Sequence, residues 1–213
     1  MDISVLNSKL SAPGKYKPLI SDFKKEIERE FQCRVAYIDC EYVRLCKSYD
    51  FLVYMFSGED YNKISIVDGK ISDINERKLD SILSEIIRQN RYEDFILKSG
   101  ETFHCYIQRY YFELQARECW YSELKKYTID LEKMTLNIAD RIKIHNGDVI
   151  CLFDTIADID RFIDSGLLKE LNNRVISVLS SMDDFGFVKE DENHVRCDTT
   201  ENFQKNPMYL RDI

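Results

Sequence analysis

The chain has 213 residues, 44% of them hydrophobic and 32% charged, with a net charge of −8. That balance is ordinary for a globular protein and excludes collagenous or disordered classes. Apolar runs reach only a handful of residues, too short for a membrane span, and the start "MDISVLNSKLSAPGKYKP" lacks the basic-then-apolar order of a secretory signal.

Leu19, Ile20, Phe23, Ile27 and Phe31 recur at helical spacing and predict a first helix over 18–31. "CRVAYIDC" and "DFLVYMFS", rich in β-branched and aromatic residues, predict strands. "NKISIVDGKISDI" predicts a hairpin turning at Asp68-Gly69, because that pair accepts the positive φ of a two-residue turn. Asn75 is expected to cap a helix whose apolar stripe is Leu79, Ile82, Leu83, Ile86 and Ile87. Residues 1–98 thus form an antiparallel β-meander with flanking helices.

Gly100 then breaks the chain, and no glycine or proline follows until Gly147. Across that gap Phe103, Ile107, Tyr110, Leu114, Tyr121, Leu124, Leu131, Met134, Ile138 and Ile142 keep three- and four-residue spacing. The pattern predicts helix over 103–124, with Tyr110, Leu114 and Tyr121 facing the core. A single helix over 102–145 would be about 66 Å long, against a radius of gyration of about 17 Å for a domain of this size. A break is therefore placed near Tyr127–Asp130. "TFHCYIQRYYF" also carries strong β propensity, so a strand is the competing assignment there.

"DVICLFD" predicts another strand, and Thr155 or Asp154 caps a helical stretch that Gly166 splits. "FGFVKEDENHVRCD" predicts a hairpin, the tail is irregular, and no internal repeat is evident. The expected class is α+β, with a mainly helical acidic region with short strands over 99–213. The two regions are separate units or one continuous domain.

Seven cysteines at scattered spacing, with no CxxC, predict free thiols in a cytoplasmic protein. His104, Cys105 and Cys119, or His194 and Cys197, do not make two close ligand pairs, so no metal and no cofactor are expected. "DDFG" at 183–186 stands without the glycine-rich loop or catalytic loop of a kinase. Asp39 and Glu41, with Asp68 and Lys70, sketch a nuclease-like carboxylate set, but Asp68 and Lys70 are already explained by the hairpin. Arg109, Glu113 and Arg117 stand four apart and form a charge ladder if the segment is helical. Arg117 falls within the apolar stripe, either snorkelling to Glu113 or binding an anionic ligand.

Residues 148–201 hold 13 acidic and 5 basic side chains, as large an imbalance as that of the whole chain. Such a field repels nucleic acid and attracts basic partners. Asp154, Asp158 and Asp160 suit a helix start. Asp183 and Asp184 sit instead at an expected helix end, where the macrodipole disfavours them. With Glu190, Asp191 and Glu192 they bracket Phe185 and Phe187, an acidic patch with aromatic anchors. The favoured function is a non-enzymatic acidic binding protein of the inhibitor, immunity or adaptor type. Its partner is a basic protein, contacted through Asp183, Asp184, Phe185, Phe187, Glu190, Asp191 and Glu192. Arg109, Glu113 and Arg117 are the secondary candidates, and neither nucleic acid nor membrane is expected as a partner. The alternatives are a hydrolase or nuclease with carboxylates gathered from several strands, and a structural homodimer paired through a long helix.

Overall fold

β-branched and aromatic residues dominate 35–43 and 48–55, and these become β1 (Val35–Val43) and β2 (Ser48–Met55), an antiparallel pair with Ile38 opposite Val53 and Cys40 opposite Phe51. The computed structural model describes residues 3–11, 16–67, 70–71, 73–90, 92, 94–127, 130–131, 133, 141–145 and 148–205. The fold is α+β, and the chain divides into two compact units, Met1–Ala116 and Arg117–Ile213. The division falls later than residue 98, because the segment after Gly100 adds a strand to the first sheet.

In the first unit, α1 (Ile3–Ser11) and α2 (Lys17–Phe31) precede β1 and β2. Then come α3 (Gly58–Ser65), the two-residue strands β3 (Ile66–Val67) and β4 (Lys70–Ile71), and α4 (Asp73–Gln89). β5 (Thr102–Ile107) pairs parallel with β2, Phe51 beside Cys105 and Val53 beside Ile107. The sheet order β1-β2-β5 is therefore mixed, and only its first pair fits the expected meander. The core is built as the helical spacing implied. Leu19, Phe23 and Ile27 of α2 and Leu79, Leu83 and Ile86 of α4 are buried with Phe51, Val53 and Met55 of β2. Phe23 meets Phe51 edge-on at 6.1 Å between ring centres. Each such side chain contributes roughly 1.5–3 kcal/mol by leaving water.

As an edge strand, β5 would expose unpaired amides. Two of them donate to α4 carboxylates, Cys105 N to Asp80 Oδ1 at 2.7 Å and Ile107 N to Glu76 Oε1 at 3.3 Å. A parallel third strand is thereby closed off by the helix that leads into it. The hairpin read over 62–74 is smaller than expected. Residues 62–65 belong to α3, the pairing is Ile66 with Ile71 and Val67 with Lys70, and the Asp68-Gly69 turn lies outside the described residues. Asn75 is no cap. It is buried within α4 and its amide donates to the Ile64 carbonyl.

α5 (Phe112–Leu124) crosses the division between units and is followed by a 3-10 turn, Lys125–Tyr127. The helix expected from residue 103 does not exist, since 102–107 is strand and α5 starts only at Phe112. Starting there turns its buried face to Phe112, Ala116, Cys119, Trp120 and Leu124, while Leu114 and Tyr121 are only half-buried. Met134 and Ile138 lie outside the described residues, and Ile142 belongs to a strand. The stripe over 103–142 is therefore not one continuous helix.

The second unit continues with β6 (Arg141–His145), β7 (Asp148–Phe153), α6 (Ile156–Asp164), α7 (Leu167–Ser180), β8 (Val195–Thr199) and α8 (Thr200–Lys205). β6 and β7 are antiparallel, and β8 joins β7 in parallel. Thr155 caps α6 by accepting from Asp158 N at 3.2 Å, and Gly166, at φ 80°, separates α6 from α7 as the sequence implied. Residues 186–194 contain no strand, so β8 lacks the expected hairpin partner and pairs with β7 instead. Both units share one connectivity: an antiparallel strand pair, intervening helices, then a third strand parallel to the second. The sequence carries no matching repeat.

Among the described residues no helix is long and apolar enough to cross a membrane. Replacing Phe51, fully buried in the first sheet, by alanine is expected to cost about 3–5 kcal/mol, read as a shift in the urea midpoint. The half-buried Leu114→Ala should cost clearly less, and equal losses would contradict the α5 register.

Candidate functional site

Within the second unit, Arg117 on α5 is the side chain around which an irregular segment is organised. Its guanidinium donates to Glu192 Oε1 at 2.9 Å and Oε2 at 3.2 Å, and to the Phe187 carbonyl at 2.7 Å. The planar fork suits this task, since it meets both carboxylate oxygens and still reaches a backbone acceptor. Only 15% of the Arg117 side chain and 26% of Glu192 is exposed, so the pair is screened far less than a surface ion pair. Burial opposes the charge on Arg117, but Glu192 outweighs it and raises the guanidinium pKa further. Burial likewise opposes the Glu192 charge, and the hydrogen bonds and charge of Arg117 hold its carboxyl below the usual range.

The organised segment runs from Ser181 to His194 between α7 and β8. A stretch this long without regular structure needs other partners for its backbone. Asp183 accepts from Phe185 N at 3.0 Å and Val188 N at 2.7 Å. Asn172 of α7 donates to the Glu192 carbonyl at 3.0 Å and accepts from His194 N at 2.8 Å. His194 is buried, with Nε2 2.9 Å from Glu192 Oε2. Phe187 is buried against Trp120 at 6.3 Å between ring centres, and Phe185 lies on Phe187 at 5.7 Å. Gly186 takes φ 72°, a conformation that favours glycine.

The candidate contact residues therefore divide. Asp183 and Glu192 are spoken for by the chain itself, and Phe187 is core. Asp184, Glu190 and Asp191 are exposed, with Phe185 half-buried beside them. α7 ends at Ser180, so Asp183 lies beyond the helix and is employed in the turn rather than set against the dipole. Of the three residues read as a charge ladder, Glu113 and Arg117 lie on α5 and Arg109 precedes it. Arg109 is exposed outside any helix, and Glu113, in the first unit, accepts from Gly58 N at 3.2 Å. Asn172 and Trp120 escaped the sequence reading. An asparagine pair inside an apolar helix was the available signal for the first, since such residues seek backbone partners.

Other chemistry finds little support. Asp39 pairs with Lys9 at 3.4 Å, and Asp68 lies outside the described residues. Burial pushes the thiols of Cys33 and Cys197 up to about 11 and that of Cys151 to about 12, the reverse of an activated nucleophile. Among the described residues no cluster of three or more His, Cys, Asp or Glu is arranged to hold a metal ion. An open groove of about 550 Å³ between α2 and α4 is lined by charges already in ion pairs, Asp22 with Lys25 and Glu85 with Arg88 along their own helices and Glu30 with Lys78 between the two. Compared with protein-family models, with curated proteins and with solved structures, the chain matches none.

The depressed carboxyl of Glu192 sets a pH dependence. A group whose folded pKa lies below its unfolded value stabilises the fold above the unfolded value, and that contribution is lost as pH falls through the folded value. Wild type should lose stability below about pH 4.5, the ordinary glutamate value, and Glu192→Gln should lose less over the same window. Parallel acid-unfolding curves for the two proteins would contradict this.

Proposed function

We propose that the chain is a non-enzymatic binding protein whose second unit captures a basic protein through the segment between α7 and β8. The observation that carries this is the contrast within that segment. Its backbone is braced by Arg117, Asn172 and Asp183, while Asp184, Glu190 and Asp191 face solvent and make no ion pair among the described residues. A connection between a helix and a strand does not require three dedicated side chains. A recognition loop does benefit, because rigidity before binding reduces the ordering cost at binding. Phe185, half-buried on Phe187, supplies the apolar contact beside the charges.

Exposed acids act mainly on encounter. A uniformly acidic surface raises the local concentration of a basic partner and speeds association, and salt weakens that effect. The surrounding charge supports the same direction, because residues 148–201 carry 13 acidic against 5 basic groups.

The test is affinity capture from cells that carry the gene, with wild type and an Asp184→Lys, Glu190→Lys, Asp191→Lys variant side by side. A strongly basic protein should be retained by wild type, and its association rate with the variant should fall about tenfold or more at low salt. All three residues are exposed, so both proteins should melt alike. A partner that associates equally fast with both, or an acidic partner, would overturn the proposal.

A further inference from the structure

α6 has an apolar ridge that its own fold does not cover. Phe162 turns inward and packs on Phe153 at 5.3 Å between ring centres, which anchors the helix. Ile156 and Ile163, seven residues apart and so on one side of the helix, are 69% and 47% exposed, with the half-buried Ile159 between them. Four and eight residues after Ile156, Asp160 and Asp164 run alongside this ridge, and Asp154 precedes it. All three acids are exposed and make no ion pair among the described residues. The only basic residue on α6, Arg161, is engaged by Asp158 one turn back.

Two exposed isoleucines in line, bordered by uncompensated acids, are unlike the scattered single apolar residues of an ordinary surface. We infer that the α6 ridge is a docking surface for a cationic amphipathic segment of a partner protein, its aliphatic side chains on Ile156, Ile159 and Ile163 and its lysines or arginines over Asp160 and Asp164. Charge selects this occupant. A second copy of the chain would bring another acid-bordered ridge of a protein with net charge −8, and α6 offers no uncommitted cation to offset it. An anionic membrane surface is disfavoured for the same reason. The inference deepens the proposed function and rests on it for the existence of a basic partner.

The probe is a fluorescent amphipathic helical peptide of leucine and lysine, with an oligolysine of equal charge as its control. Binding to the full chain is read by anisotropy. Wild type should prefer the leucine-lysine peptide by about tenfold or more, the discrimination expected when a few aliphatic groups leave water. The Ile156→Ser, Ile163→Ser variant should lose that preference. Asp160→Lys, Asp164→Lys should weaken both peptides and flatten their salt dependence. Ile156→Ser alone, at the more exposed position, guards against a folding defect and should lose part of the preference with an unchanged melting curve. Equal affinity of wild type for the two peptides, or an unchanged preference in the serine variants, would overturn the inference. So would self-association of wild type that the serine variants abolish. The two proposals fail separately: reversing Asp184, Glu190 and Asp191 tests the α7–β8 segment and leaves the ridge intact, whereas the serine variants do the converse.

Discussion

The half-buried guanidinium of Arg117 is the constraint on which the second unit's irregular segment depends. It joins α5 to two points of that segment, the Phe187 carbonyl and the Glu192 carboxylate. Taking such a pair from water is costly, and the attraction alone does not make it a net gain in stability. Removing one partner is worse, because the other is left charged and poorly solvated. What the pair supplies is a geometric condition: the Glu192 carboxylate and the Phe187 carbonyl must meet the same guanidinium. Asn172 and Asp183 extend the same logic to amides and a carbonyl that no helix or strand satisfies.

This bracing sorts the acidic residues into two kinds. Asp158, Asp183 and Glu192 are consumed by a cap, a turn and an ion pair. Asp154, Asp160, Asp164, Asp184, Glu190 and Asp191 stay exposed. Composition counts both kinds alike, but only the second contributes to a field that a partner meets. In the first unit the same economy is visible at Asp80 and Glu76, whose carboxylates close the β5 edge and are thereby withdrawn from any surface role.

Local patterns in the sequence made much of the fold legible. The stripes of α2 and α4, the strand character of β1, β2 and β7, the Thr155 cap and the break at Gly166 all arise from interactions within a few residues. What escaped depends on distant partners. "TFHCYI" fits helical spacing and β propensity alike, and only pairing with β2 settles it as strand. β6 was hidden in an apparent helical stripe for the same reason, and β8 follows a segment that mimics a hairpin. The shared connectivity of the two units is a property of strand pairing and leaves no period in the sequence. At the site, Arg117 stood out because it interrupted an apolar stripe, but Glu113, four residues away, looked like its natural partner. Its ion pair with Glu192 spans 75 residues, a pairing that no spacing rule reaches.

Amide hydrogen exchange of Arg117→Lys tests the central claim most directly. Lysine keeps the charge beside Glu192 but loses the fork that also holds the Phe187 carbonyl. Hydrogen bonds to charged groups contribute about 1.5–3 kcal/mol, so the amides of Phe185 and Val188 should exchange about tenfold or more faster by local opening. The β7 amides of Ile150 and Leu152 should keep their wild-type rates. Unchanged exchange at Phe185 and Val188, or the same acceleration at all four amides, would contradict the claim that Arg117 braces this segment.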